Sequence, residues 1–150
     1  MNTLIILNDP PYGTERSYNG LRLAMALSKT DKAELSSSSA QTKLMPLRYK
    51  AELSSLSAQT KLIPGGCTKV TVFLMADAVV CAKRGQKTPQ GFYNIELMLN
   101  SVLRKGEVLL CGACMDARGF ADDEIVQDAR RSTMKELAER TLAADKVLVF

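Results

Sequence analysis

Three short apolar runs, almost unbroken by polar residues, set the terms on which this chain can fold. They read TLIIL at residues 3–7, VTVFLMA at 70–76 and EVLLC at 107–111. A strand covered on both faces loses the usual polar alternation, so runs of this kind belong inside a parallel sheet. Between and after them the spacing changes to that of helices. Gly20, Leu23, Ala24 and Leu27 recur at i, i+3, i+4 and i+7, flanked by Leu21 and Met25. Phe92, Ile95, Leu99, Val102 and Leu103 mark a second helix, stopping near Gly106. Thr133-Met-Lys-Glu136 has the form of a capping box, opening a helix with Met134, Leu137, Ala138 and Thr141 on one face. A last strand is expected at 146–150 (KVLVF). A weaker one is expected near 129–132, after a helical turn starting at Asp122 or Asp123. Strands alternating with helices predict an α/β fold: three layers, a mostly parallel open sheet of about five strands, and helices on both faces.

Residues 31–69 break this rhythm. The stretch AELSSSSAQTKLM, starting after Lys32, is nearly repeated as AELSSLSAQTKLI after Lys50, the copies differing only at Ser38/Leu56 and Met45/Ile63. Two copies are too few for a solenoid, and the segment is poor in bulky apolar residues. Removing it leaves an ordinary helix-to-strand connection. The expected organisation is one domain over 1–150, interrupted by a duplicated Ser-rich surface insertion at about 31–69.

Composition narrows the partners. Lys plus Arg number 20 against 16 Asp plus Glu, and no long block of like charge concentrates the excess. With four Phe, four Tyr and no Trp there is little for a base-stacking groove, so no nucleic-acid partner is expected. The opening apolar run is too short for a membrane span or an export signal. A cytoplasmic, reducing location is therefore expected, where four cysteines serve as thiols, metal ligands or core residues rather than a disulfide framework. The chain has no His, so neither a Cys-His nor a Ser-His pair exists. An all-cysteine zinc site would need the isolated Cys67 and Cys81, and no metal is expected. No glycine-rich phosphate loop follows the first run, and no cofactor is expected.

The chemistry concentrates in Cys111-Gly-Ala-Cys114-Met-Asp-Ala-Arg118-Gly119. A parallel strand would deliver Cys111 to the carboxyl edge of the sheet, where open α/β sheets build their sites. If a helix begins there, its free N–H groups and the charge of Arg118 favour a thiolate or persulfide anion. The C-x-x-C spacing alone also fits a redox pair, and a strand-end cysteine also fits plain core packing. Asp77, Cys81, Lys83 and Arg84 follow the second run, and Asp9, Tyr12 and Arg16 follow the first. Both loops are expected at the same sheet edge, where Lys83 and Arg84 can bias a nearby sulfur towards its anion and Tyr12 can orient a substrate. Cys81 is the competing thiol.

The stretch CGACMDARG, preceded by EVLL, resembles the sulfur-relay motif of the DsrE/DsrF-like family. The resemblance extends to NDPPYGTERSYNGLRLAMAL, VTVFLMADAVVCAKRGQ and TMKELAERTLAADKVLVF, and leaves out residues 31–69. It implies a sulfur-handling subunit that assembles into trimers or hexamers. A cysteine at the position of Cys111 would accept sulfane sulfur from a donor protein and pass it to an acceptor protein. Cys114 matches a second cysteine found in one branch of the family. Two other readings stand beside this one: a non-catalytic oligomeric binding protein, and a thiol–disulfide redox protein using Cys111 and Cys114.

Overall fold

The computed structural model describes residues 1–29 and 68–150. The repeated segment and Cys67 lie outside the described residues, whereas Lys69, at the far limit of the expected insertion, already belongs to a strand. The described elements run β1 (Asn2–Leu7), α1 (Arg16–Lys29), β2 (Lys69–Leu74), a 3-10 helix (Ala76–Ala82), α2 (Ile95–Leu103) and β3 (Glu107–Cys111). They continue with α3 (Gly112–Asp116), a second 3-10 turn (Asp122–Glu124), β4 (Arg130–Ser132), α4 (Met134–Ala143) and β5 (Lys146–Val149). The five strands are all parallel, in the order β4-β3-β2-β1-β5.

Register assigns each side chain to a face. Leu7 pairs with Leu74, and Ile5 with Val72. A side chain at Gly20 of α1 would strike Leu7 and lie 3.2 Å from the Phe150 ring, so this face carries α1, held close by the missing Cβ. On the other face Thr71 pairs with Glu107 and Phe73 with Leu109, and Cys111 follows by alternation. Arg140 of α4 reaches Glu107 at 2.7 Å, which puts α4 over this second face. The right-handed crossover from β4 to β5 requires that placement, because it runs against the direction of the first three connections. Leu4, Phe73, Leu109 and Leu110 are fully buried between the layers. Each contributes about 1.5–3 kcal/mol of apolar burial. No helix among the described residues is long and apolar enough to cross a membrane.

Several boundaries differ from the sequence expectation. The second strand ends at Leu74 rather than 76, because Ala76 adopts a positive φ of 44° and turns the chain into a 3-10 helix. Phe92 lies outside α2 and is 69% exposed; Asn94 caps that helix by accepting the N–H of Leu97. The buried stripe of α1 is Ser17, Gly20, Leu21, Ala24 and Ser28, with Leu23 and Leu27 half-buried beside it. On α4 only Leu137 of the expected face is buried, and Met134 is 55% exposed. Thr133 does cap α4, accepting the Glu136 N–H at 3.2 Å. The reciprocal half of the box is missing, since the Glu136 carboxylate turns instead to Arg130, Ser132 and Arg140.

Candidate functional site

Strand β3 ends at Cys111, and the chain enters α3 at once, so Cys111 is that helix's N-cap and Cys114 its third residue. These are the two positions that the partners of a capping box occupy, at the two ends of the first turn. Here both positions carry thiols, and Cys114 bears on the protonation of Cys111. Cys111 is only 3% exposed, whereas Cys114 is half-buried. The Cys114 sulfur accepts the backbone N–H of Ala76 at 3.3 Å. Ala76 is the residue with φ of 44°, a left-handed conformation that costs a side-chain-bearing residue about 1 kcal/mol or more. The turn out of β2 therefore aims an amide at a sulfur.

The other side of Cys111 opens on a cavity of about 420 Å³ between β3, β4 and the start of α4. Gly112, Arg131, Ser132, Thr133 and Met134 supply much of its wall. Gly112 matters by what it lacks: a Cβ there would stand 3.1 Å from Arg131 Cγ and 3.2 Å from the Ser132 carbonyl. Arg131 donates to the Gly112 carbonyl at 3.2 Å, to Asp116 at 2.7 Å and to Asp122 at 2.9 Å. The acidic turn at Asp122 thus helps to hold an arginine against the pocket. Sequence reasoning did not place Arg131, Ser132 or Met134 beside Cys111. They become neighbours of Cys111 only because β4 lies beside β3 with Ser132 opposite Cys111.

Electrostatics run against the sequence expectation at Cys111. Burial pushes its thiol up from the ordinary value, and the Cys114 side chain acts in the same direction. Helix α3 is a single short turn, and Arg118 is occupied elsewhere. Its guanidinium donates to Asp77 at 2.6 and 3.1 Å and to the Cys114 carbonyl at 3.0 Å. Asp77 and Arg118 therefore pair beside Cys114, and Cys111 rests as a neutral thiol.

The remaining candidates do other work. Lys83 pairs with Glu124 at 4.0 Å and lies over the Phe120 ring, while Arg84 donates twice to the Ile125 carbonyl. Both fasten the 120–126 segment rather than a thiol. Tyr12 donates to Gln86 at 2.6 Å, accepts the Ile95 N–H and stacks on Tyr93. It belongs to an aromatic stack continued by Tyr18 and Arg22. Tyr18, Tyr93 and Arg22 line a larger cavity of about 960 Å³, with no cysteine among the described residues of its wall. Asp9 accepts from Thr14 and pairs with Arg16, which closes the loop before α1. Cys81 is buried, its thiol pushed up to about 12 by desolvation, and its sulfur faces the Asp9 carbonyl. Cys81, Cys111 and Cys114 are all free thiols.

Fold and site together define an all-parallel α/β protein with a dithiol at the end of a central strand. The chain belongs to the DsrE/DsrF-like family, whose profile matches residues 1–150. It is 34% identical over 148 residues to Protein YchN of Escherichia coli K12, covering 98% of this chain and 97% of that protein. An uncharacterized protein of Methanocaldococcus jannaschii, MJ0989, is 25% identical over 150 residues, with both chains fully covered. The crystal structure of E. coli YchN superposes with a TM-score of 0.68 at 33% identity, over 99% of this chain and 98% of that one. A protein of unknown function from Methanobacterium thermoautotrophicum, MTH1491, shares the fold at a TM-score of 0.53 and 10% identity, over 99% of this chain and 97% of that one.

Proposed function

We propose that this protein is a sulfur-relay carrier in which Cys111 accepts sulfane sulfur as a persulfide and hands it to an acceptor thiol. The observation that carries the reading is the placement of Cys111. A buried parallel strand holds its backbone, and Cys111 lines the 420 Å³ pocket at the carboxyl edge of the sheet. In the loading step Cys111 attacks the outer sulfur of a donor persulfide. The donor S–S bond breaks, a new one forms on Cys111, and the Cys111 proton passes to the donor's released thiol. Exchange of this kind requires a thiolate at the moment of attack. A neutral resting thiol makes loading depend on a donor that takes up the proton. Sulfur donor and acceptor proteins are the partners of this reading. Homo-oligomers, trimers or hexamers, fit the apolar surface left by Leu142, Val147 and Val149 along α4 and β5.

Intact-mass spectrometry after incubation with inorganic polysulfide tests the assignment. With Cys114 replaced by Ser, the protein should gain the mass of one sulfur atom, and the further replacement Cys111→Ser should abolish that gain. Equal gain by both would refute it. The burial of Cys111 favours a second reading, a binding protein without sulfur chemistry. That reading predicts no persulfide on any cysteine.

A further inference from the structure

We infer that Cys114 is a resolving thiol, which clears sulfur from a loaded Cys111 by closing a Cys111–Cys114 disulfide and releasing hydrosulfide. The inference rests on the carrier reading above and adds an exit for sulfur that has found no acceptor.

Three observations carry it. Cys111 and Cys114 are the N-cap and the third residue of one helical turn, so the second thiol stands beside the Cys111 sulfur, which is the inner atom of a persulfide formed there. The outer sulfur lies one S–S bond further out, about 2 Å. The space available to it is the pocket walled by Gly112, Ser132, Thr133 and Met134, of which Cys114 is no part. Cys114 thus faces the atom whose attack yields a disulfide rather than the atom whose attack only moves the persulfide. Finally, the Ala76 amide, 3.3 Å from the Cys114 sulfur, fixes Cys114 in this position. Ala76 makes that contact from a left-handed conformation, and such conformations persist where the surroundings hold them.

The step balances without any outside oxidant. The Cys114 thiol gives up its proton, and its sulfur bonds to the Cys111 sulfur. The persulfide S–S bond breaks, and hydrosulfide leaves and takes up the proton. Cys111–S–SH and Cys114–SH become Cys111–S–S–Cys114 and H₂S. The sulfane sulfur is reduced, and the two cysteine sulfurs are oxidised to the disulfide. One turnover is complete in itself, and an added dithiol such as dithiothreitol resets the pair.

The test loads the full-length reduced protein with inorganic polysulfide, desalts it, and follows intact mass and released sulfide together. Wild type should lose its added sulfur and end as a species lighter than the reduced protein by one hydrogen pair, with sulfide appearing at the same rate. Cys114→Ser should hold the added sulfur on Cys111 at least about tenfold longer, because the intramolecular attack is gone. Cys114→Ala serves as a second variant, and far-UV circular dichroism of both checks that they fold. Equal persistence of the persulfide in wild type and Cys114→Ser, with no sulfide released, would overturn the resolving role while leaving the carrier reading intact. Failure of Cys114→Ser to gain sulfur on Cys111 at all would overturn both.

Discussion

Replacing Glu136 with Gln tests how the pocket beside Cys111 is held. The Glu136 carboxylate accepts from Arg130 at 2.9 Å through Nη1, from Ser132 at 2.7 Å and from Arg140 at 3.3 Å. These contacts tie β4 to the first turn of α4, the two elements that carry Ser132, Thr133 and Met134 to the cysteine. The Arg130 guanidinium, followed by the Ser132 hydroxyl, holds the carboxyl at about 2 against an ordinary 4.5. A carboxyl depressed in the folded state binds fewer protons there than in the unfolded chain. Its stabilisation is therefore complete above pH 4.5 and fades as pH falls towards 2. At about 1.4 kcal/mol per pH unit, the ceiling is about 3 kcal/mol. The Glu136 side chain is 24% exposed and that of Arg130 51%, so solvent screening reduces this to about 1 kcal/mol. Glu136→Gln should lower the unfolding free energy by about 1 kcal/mol at pH 7, and by less than half of that at pH 3. The chain has no Trp, so urea titrations followed by far-UV circular dichroism are the suitable assay. A difference that stays constant from pH 7 to pH 3 would refute the reasoning, since only the titration of this carboxyl makes it pH-dependent.

Two further outcomes follow from the same geometry. Under native alkylation with iodoacetamide at pH 8, Cys114 should react before Cys111, and Cys81 last, at least about a thousandfold slower than a free thiol because its thiolate fraction is that much smaller; peptide mapping over time reads the order, and early labelling of Cys81 would contradict its burial. Gly112→Ala places a Cβ 3.1 Å from Arg131 Cγ, so it should slow sulfur loading of Cys111 about tenfold or more while leaving Cys114 alkylation unchanged, read by intact mass and peptide mapping.

Much of the scaffold follows from local pattern. The apolar run 107–111 is β3 to the residue, because a strand covered on both faces needs no alternation and Gly112 begins the helix after it. The placement of Cys111 and Cys114 on one turn is similarly local, as its N-cap and its third residue. Boundaries set by contacts from elsewhere were not legible. The early end of β2 at Leu74 depends on Ala76 turning to a positive φ, and alanine gives no sequence signal of that. Phe92 matched the helical period of α2 but lies outside that helix, which Asn94 caps two residues later.

The sequence by itself determined an α/β chain that delivers Cys111 to the end of a buried strand beside a second thiol. Short-range periodicity and a two-residue gap are enough for that. Only the tertiary structure decided what surrounds the sulfur. The strand order set β4 against β3 and brought Arg131, Ser132 and Met134 to a cysteine some 20 positions away in the chain. It also turned Arg118 onto Asp77 and left Cys111 desolvated, so that the expected thiolate is a neutral thiol. A protonation state depends on burial as well as on nearby charge, and burial is set by what the fold packs around the group.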